Sequence, residues 1–449
     1  MEACSLPDAA APRAAADASQ AGRPSDAPAS AVAAAAPWAA PLPDAAALRF
    51  AAVAAQVGPL PDASAPGAAA PQAGTARDAP ASAVAAAAPW AAPPPDAATP
   101  RAAAPQDRPG IATPVLHAAP RSPRPAAPRS PRPAALVTTG GTESNQLALL
   151  LAREAHGGGV RLVHGSNAHH SLPRAAWLLG MPEPVVVPAP AGTLDPVALD
   201  EALTRLAGPP GSLLVAATAG STDAGLIDPL QDIAARCAAH GARLHIDAAY
   251  GGGLLFSDRY RDRLTGLHAA DTVALDLHKF GWQPVAAGLL AVRDPRDLTV
   301  LHRRADYLNA EDDTEAGLPD LLGRSLRTSR RPDALKIAVT LRTLGRHGLG
   351  RLVEHVCDTA HTFAALVHRH PGFELLDPPT ISTVLFRPAH TTDDAVAAVR
   401  RKLLTDGRAV LGRARLDGRL WLKATFLNPR TRPDDLAALL KLVEGNTPG

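Results

Sequence analysis

The stretch LHIDAAYGG, from Leu244 to Gly252, is followed by a second short stretch, DLHKF, from Asp276 to Phe280. In the first stretch an aspartate, Asp247, closes an apolar run. In the second, a lysine, Lys279, follows another apolar run. Short apolar runs that end in charged residues predict a site held at the ends of two buried strands.

A lysine and an aspartate in such positions are the pair that pyridoxal phosphate requires. The lysine forms a Schiff base with the aldehyde of the cofactor, and the carboxylate pairs with the pyridinium nitrogen so that the ring can draw electrons. The opposite charges of the carboxylate and the ring favour the ionised form of each. We therefore predict a pyridoxal-phosphate site anchored by Lys279 and Asp247.

Two earlier segments add to this pair. TTGGTESNQLALLLARE, which starts at Thr138, is typical of a glycine turn that opens into a helix, because leucines recur behind it at helical spacing. The backbone N–H groups and the positive dipole end of such a turn bind anions, so we expect Gly141 and Thr142 to hold the cofactor phosphate. HGSNAHHSLPRAAWLLG, which starts at His164, offers an imidazole that could stack on the ring.

In this order and with these residues, the chain resembles the group II pyridoxal-phosphate-dependent amino-acid decarboxylases, from about Val137 to Asn428. That family includes the aromatic amino-acid, glutamate and diaminobutyrate decarboxylases. The resemblance implies an enzyme, a carboxy-lyase that converts an L-amino acid to the corresponding amine and carbon dioxide. It also implies a fold-type-I architecture, like that of aspartate aminotransferase, and a homodimer.

The same resemblance assigns roles around the cofactor ring. The ring-stacking histidine falls on His169, within the sequence AHHS. ATAGSTDAGLID is similar to the loop that reaches the substrate carboxylate and the cofactor, with Ser221 and Thr222 nearest. Asp247 is implied to be the pyridinium partner, and Ala249 to pack against the ring. The expected catalytic residues are Lys279, His169 and Asp247.

At the other end of the cofactor, DLHKF is implied to carry Lys279 as the Schiff-base lysine, with Asp276 and His278 beside the phosphate. SLRTSRRPDALK matches a family segment that approaches the phosphate across the dimer interface, and it contributes Ser329 and Arg330. The resemblance therefore predicts a cofactor site to which several separate segments contribute.

The branch of the family indicates the expected substrate. ADYLN, SLRTSRRPDALK and ATFLNP make the chain most similar to diaminobutyrate decarboxylases and to the lysine decarboxylases of siderophore pathways. The loop at residues 309–323 also carries Glu311, Asp312, Asp313 and Glu315, which could attract a distal ammonium group. We expect a diamino acid, such as 2,4-diaminobutyrate or lysine, to be preferred over glutamate.

Other interpretations stay open. The loop contains no tyrosine that could return a proton to Cα, so Lys279 and His169 are the candidates, while Tyr307 is expected to pack. The first alternative is another fold-type-I reaction, aminotransfer or aldol cleavage, because fold and cofactor do not determine the reaction. The second is a catalytically impaired homologue that lacks the family's usual N-terminal segment.

Residues 1–135 are dominated by alanine and proline, and DAPASAVAAAAPWAAP occurs at Asp26 and again at Asp78. Proline interrupts the alanine runs too often for a stable long helix, and bulky apolar residues are few. We predict disorder here, where the family normally has a folded segment that serves the dimer and the substrate pocket. A cofactor-binding domain is expected over residues 136–330 and a small domain over 331–449.

Composition restricts the possible partners. The chain of 449 residues has a net charge of +2, which predicts no nucleic-acid partner. Its three cysteines show neither a disulfide framework nor zinc-ligand spacing, so we expect no metal and a reducing, cytoplasmic compartment. The N-terminus lacks a secretory signal, and its alanine runs are too short to span a membrane. The expected partners are an amino-acid substrate and a second copy of the chain.

The apolar pattern predicts the fold class. From residue 136 to 293, apolar runs alternate with helical segments such as 228–240, which is typical of an α/β domain with a mostly parallel sheet. Ligands bind beyond the carboxyl ends of such strands, where Ser221, Asp247 and Lys279 would converge. A small α+β domain should follow a helix at 332–345. Its strands are expected from Ile381 and Arg419, and its helices at 392–406 and 433–444.

Overall fold

Strands and helices alternate through the first half of the described chain. The computed structural model describes residues 133–302, 311–318 and 321–447. The strands of this half are β1 (Ala134–Thr138), β2 (Arg161–Gly165), β3 (Val185–Val187), β4 (Leu213–Thr218), β5 (Arg243–Ala248), β6 (Thr272–Asp276) and β7 (Gly288–Val292). The helices are α1 (Gly141–Ala155), α2 (Ser171–Leu178), α3 (Pro196–Arg205), α4 (Leu230–Ala239) and α5 (Leu277–Phe280). The α/β class is confirmed, whereas the predicted N-terminal disorder lies outside the described residues.

These seven strands form one sheet in the order β1-β7-β6-β5-β4-β2-β3. Each pair of neighbours from β3 to β6 is parallel, while β7 runs antiparallel to both β6 and β1. Every residue of β4 is buried, as expected for a parallel strand covered on both faces. The mostly parallel sheet is therefore confirmed, and the carboxyl ends of its parallel strands meet at one edge.

A second sheet of four strands follows. It consists of β8 (Phe373–Leu375), β9 (Thr383–Pro388), β10 (Gly412–Leu416) and β11 (Arg419–Thr425), in the order β10-β11-β9-β8 and antiparallel throughout. The helices of this half are α6 (Glu311–Glu315), α7 (Asp333–Arg369), α8 (Asp393–Thr405) and α9 (Pro433–Glu444). Phe363, Phe386 and Leu422 lie in a separate apolar core here. That core supports the predicted boundary near residue 330, which stays a prediction.

The helix predicted at 332–345 is only the first part of a longer element. α7 contains 37 residues, with a non-helical break at Gly345, where φ is 60° and ψ is 179°. Glycine adopts this conformation because it has no Cβ to clash with the backbone. Beyond the break, Leu349, Val353 and Val356 recur at helical spacing and are fully or almost fully buried, so the helix resumes. The predicted end at Gly345 therefore coincides with the break, and the helical part beyond it was not predicted.

The remaining predicted elements agree with the structure to within two residues. α9 covers residues 433–444 as predicted, and α8 begins and ends one residue inside its predicted range. β11 starts at Arg419, and β9 starts two residues after the predicted Ile381. Across the described ranges, none of the helices combines the length and the apolarity that a membrane crossing needs.

Candidate active site

Asp247 and Lys279 lie at the carboxyl ends of neighbouring parallel strands. Asp247 is the fifth residue of β5, which pairs with β6 so that Asp247 is opposite Ala274. β6 ends at Asp276, and Lys279 follows on the short helix α5. The strand order thus brings the two predicted anchors to one edge of the sheet, where ligands of parallel sheets bind.

The Asp247 carboxylate is buried, and two N–H groups donate to it. Asn145 Nδ2 lies 2.8 Å from Oδ2, and the backbone N of Ala249 lies 3.0 Å from Oδ1. Asp247 is only 5% exposed, and none of the described lysines or arginines forms an ion pair with it. A buried carboxylate held in this way is suited to a cationic partner, such as the protonated nitrogen of a pyridine ring.

The Lys279 ammonium makes an ion pair with Asp276, three residues before it in the chain. Its Nζ lies 3.0 Å from Asp276 Oδ2, and the lysine side chain is 34% exposed, so the amine is open to a ligand. His278 Nε2 lies 3.5 Å from the same oxygen. The other oxygen, Asp276 Oδ1, is buried without a hydrogen-bond partner in the described chain.

The glycine turn between β1 and α1 faces the Asp276 carboxylate. Gly140, which precedes α1, has a φ of 142° that favours glycine. A Cβ added to Gly141 would lie 2.7 Å from the Cβ of Ala249 and 3.6 Å from both oxygens of Asp276. Gly141 is buried and Thr142 is exposed at the first turn of the helix. The turn therefore packs so closely against Ala249 that a side chain at position 141 would force the backbone to move.

The predicted phosphate segment near residue 330 lies beside the same turn. Arg330 donates to the carbonyl oxygen of Val137 across 2.6 Å, and Arg327 donates to Thr139 Oγ1 across 3.1 Å. Ser329 itself is exposed. Arg327 also pairs with the Glu143 carboxylate across 3.5 Å, which offsets its charge. Arg330 adds positive charge next to the glycine turn within one chain, which favours an anion there.

His169 is linked to Asp247 by hydrogen bonds through Ser171 and Asn145. It is half-buried, and its Nδ1 lies 2.8 Å from Ser171 Oγ. Burial lowers the pKa of His169 and Lys279 acts in the same direction, whereas Asp247 opposes the shift. The ring is thus favoured in its neutral form, which suits stacking against a cofactor ring.

The loop after β4 is tied to Asp247 by its backbone. The backbone N of Ala219 donates to the carbonyl oxygen of Asp247 across 2.9 Å. Ser221 is buried and its Oγ accepts from the backbone N of Leu226, while the carbonyl oxygen of Thr222 accepts from Lys423 Nζ across 2.8 Å. The roles predicted for Ser221 and Thr222 stay predictions, because their side chains form no described contact with Asp247 or Lys279.

The acidic loop is only partly described. Asp312, Asp313 and Glu315 are exposed on the short helix α6. The side chain of Glu311 and all of Tyr307 lie outside the described residues. The expected attraction of a distal ammonium group by this loop therefore stays a prediction.

Sequence reasoning missed a buried polar network behind Asp247. Its members are Asn145, Ser171, His245 and Thr272, linked by hydrogen bonds of 2.8 to 2.9 Å. Two signals were available. Asn145 stands one helical turn after Gly141, and His245 stands two residues before Asp247 on the same face of β5.

The strand order, a lysine after β6 and a buried aspartate at the carboxyl end of β5 together define a fold-type-I pyridoxal-phosphate protein. The residues present fit the cofactor. Asp247 lacks a cationic partner in the described chain, the turn before α1 excludes a Cβ at Gly141 and so keeps its backbone uncovered by a side chain there, and Lys279 is accessible. Pyridoxal phosphate is accordingly the cofactor, and these residues would hold its ring nitrogen, its phosphate and its aldehyde.

Comparison with known proteins identifies the family within the fold-type-I pyridoxal-phosphate proteins. Residues 134–389 match the model of the pyridoxal-dependent decarboxylase conserved domain. The chain therefore belongs to the pyridoxal-dependent decarboxylase family. The strand order, the glycine turn and the aspartate–lysine pair described above lie within the matched residues.

Similar proteins fall in the same family. The chain is 43% identical over 321 residues to L-2,4-diaminobutyrate decarboxylase of Rhizobium meliloti, a match that covers 68% of this chain and 64% of that protein. It is 33% identical to the protein of the same name from Acinetobacter baumannii, over 68% and 67% of the two chains. The glutamate decarboxylase domain of the diaminobutyrate-pyruvate transaminase and L-2,4-diaminobutyrate decarboxylase from Vibrio parahaemolyticus superimposes with a TM-score of 0.61 at 32% identity, covering 71% of this chain and 69% of that one.

Proposed function

We propose that this protein removes the carboxyl group of an L-amino acid as carbon dioxide and releases the corresponding amine. The observation that carries the proposal is the placement of Lys279 beside Asp276 and of a buried, cation-free Asp247 at one edge of the sheet. When bound, pyridoxal phosphate supplies an aldehyde for the substrate amine and a ring that accepts the electron pair of the bond to the leaving carboxylate.

The residues of the chain have separate parts in this proposal. Asp247 keeps the proton on the ring nitrogen, because its buried charge is otherwise unpaired. His169 lies against the ring as a neutral imidazole, and Gly141 with Thr142 holds the phosphate at the start of α1. Lys279 binds the cofactor, and it is with His169 a candidate for returning a proton to Cα.

The test measures carbon dioxide and the visible absorbance of the bound cofactor. Wild type is expected to show both, whereas Lys279→Ala should lose the lysine-dependent band and the carbon dioxide. Lys402→Ala is a matched control, since Lys402 lies on α8, in the half of the chain that forms the second sheet, and pairs with Asp406 just beyond that helix. Cofactor binding without carbon dioxide from any amino acid would instead support aminotransfer, aldol cleavage or an impaired homologue.

For the substrate, we propose a diamino acid such as 2,4-diaminobutyrate or lysine. The proposal is supported by the two diaminobutyrate decarboxylases that the chain resembles at 43% and 33% identity, and by the exposed carboxylates of Asp312, Asp313 and Glu315. In direct competition, the diamino acid should be consumed before glutamate. Neutralising the three carboxylates with Asn and Gln should raise KM for the diamino acid and leave kcat unchanged. Equal use of glutamate would contradict this assignment.

A homodimer is also proposed. Leu335 and Val339 lie four residues apart on α7 and are 63% and 55% exposed, so they form an apolar stripe that a second copy could cover. Light scattering should give twice the chain mass of 46.1 kDa, and Leu335→Glu with Val339→Glu should halve the measured value. A wild-type protein with the mass of one chain would contradict the dimer.

The proposed compartment is the cytoplasm. Cys237 and Cys357 are free thiols, as expected in a reducing compartment. Fractionation of cells that make the protein, with an antibody against the chain, tests this assignment.

A further inference from the structure

Asn145 occupies a central position behind the cofactor site. It lies on α1, four residues after Gly141, and is completely buried. Its amide nitrogen lies 2.8 Å from Asp247 Oδ2 and 2.8 Å from Ser171 Oγ, and its amide oxygen lies 2.9 Å from His245 Nε2. Both polar atoms of this side chain therefore have partners, and the amide nitrogen has one for each of its two hydrogens.

The partners determine which way the amide is turned. An ionised carboxylate only accepts hydrogen bonds, so the nitrogen of Asn145 must face Asp247 and its oxygen must face His245. His245 therefore donates from Nε2, and its unprotonated Nδ1 accepts from the hydroxyl of Thr272 across 2.9 Å. Burial lowers the pKa of His245 to about 4, so the ring is neutral at physiological pH.

The second hydrogen of the Asn145 amide extends the chain to the other side of the site. Ser171 Oγ accepts it and donates its own hydrogen to His169 Nδ1 across 2.8 Å. The backbone N of Ser171 points at the same ring nitrogen from 3.3 Å. With two donors on Nδ1, the neutral His169 ring carries its hydrogen on Nε2.

We infer that Asn145 is a positioning residue that orients the Asp247 carboxylate and selects the tautomer of His169 together, with His245 as its anchor. The inference rests on the proposed function, because it assumes that Asp247 and His169 meet the two sides of the same cofactor ring. One buried amide next to the phosphate turn thus links the groups expected at the ring nitrogen and at the ring face.

The test compares two probes for each variant, pyridoxal phosphate and its analogue with CH in place of the ring nitrogen. The analogue cannot pair with Asp247, so its affinity reports folding and stacking without that contact. Asn145→Leu should weaken binding of pyridoxal phosphate about ten-fold more than binding of the analogue, since a hydrogen bond to a charged group is lost. Equal losses for both probes, or no loss, would overturn the inference for Asp247.

Two further substitutions separate the parts of the network. His245→Gln keeps an N–H that can donate to Asn145, so the ratio of the two affinities should stay near the wild-type value. His245→Leu removes that donor and, like Asn145→Leu, should weaken binding of pyridoxal phosphate more than binding of the analogue. Ser171→Ala leaves the contact between Asn145 and Asp247 in place. It should lower the affinity for both probes by a similar factor, so that the ratio of the two affinities is kept. Unchanged affinities would overturn the inference for His169.

These measurements separate the inference from the proposed function. Circular dichroism and thermal unfolding without cofactor identify variants that fail to fold. If Asn145→Leu is one of them, the comparison of His245→Gln with His245→Leu still tests the inference. A wild-type protein that binds pyridoxal phosphate without releasing carbon dioxide would overturn the decarboxylase proposal and leave the affinity ratios valid. A wild-type protein that binds neither probe would overturn both.

Discussion

The hydroxyl of Tyr250 lies 2.8 Å from the Oγ of Ser382, and this contact joins the two sheets. Tyr250 stands three residues after Asp247, whereas Ser382 directly precedes β9 of the second sheet. The same hydroxyl lies 3.0 Å from Thr383 Oγ1 and accepts from the backbone N of Ser382. The loop that follows the predicted pyridinium partner is therefore held by the second half of the chain.

Tyr250→Phe is expected to destabilise the fold by about 1–3 kcal/mol, because the buried hydroxyl and backbone N–H of Ser382 lose the partner they share, whereas Thr383 keeps its contact with Thr425. Urea unfolding measures the loss. Tyr260→Phe is the matched control, since the Tyr260 hydroxyl makes one 3.3 Å contact with the exposed Asp358, and it should cost less. A larger loss at Tyr260 than at Tyr250 would show that the contact between the sheets is unimportant.

Gly141→Ala is expected to weaken cofactor binding about ten-fold or more. The new Cβ would lie 2.7 Å from the Cβ of Ala249, so the turn must shift away from the phosphate position. Gly445→Ala at the end of α9, where φ is −68° and the nearest atom is 3.3 Å away, should have no effect on binding. Titration with pyridoxal phosphate, followed by absorbance, measures the affinity of each variant. Wild-type affinity in Gly141→Ala would place the phosphate elsewhere.

Acid should destabilise the protein through His245. Its pKa is about 4 in the folded chain and about 6.5 when unfolded, so only the unfolded state binds the proton between these values. The stability contributed by the neutral ring is present above pH 6.5 and lost as the pH falls through 4, about 3 kcal/mol in all. The free energy of unfolding of His245→Gln should therefore depend less on pH over this range.

The surface variant His268→Gln serves as the control for this pH series. His268 is exposed, so its replacement should leave the acid sensitivity of the wild type unchanged. Parallel pH curves for wild type and His245→Gln would mean that the buried ring does not control acid unfolding.

Two thiols should resist labelling until the chain unfolds. Burial raises the pKa of Cys237 and of Cys357 to about 12, so almost none of either is present as the reactive thiolate at pH 8. Labelling by a disulfide reagent, followed by peptide mapping, should modify both residues only in urea. Rapid modification of Cys357 in the native protein would show that α7 opens.

Much of the fold could be predicted because burial leaves a regular pattern in the sequence. The apolar runs of β4 and β5 predict buried parallel strands, and the position of Asp247 near the end of β5 predicts its place at the sheet edge. The length of α7 could not be predicted, since Gly345 is a usual helix end and only the buried face beyond it shows that the helix resumes. The same contrast holds in the site. Asp247 and Lys279 follow apolar runs and were predicted, whereas Asn145 was missed.

The sequence by itself determined the strands, the glycine turn and the identity of the aspartate, lysine and histidine, because these depend on neighbouring residues along the chain. Only the tertiary structure decided how they are held. Asn145 and Asp247 are 102 positions apart in sequence, and Tyr250 and Ser382 are 132 apart. Hydrogen bonds between such distant residues depend on how the strands and helices pack, and no local pattern specifies that packing.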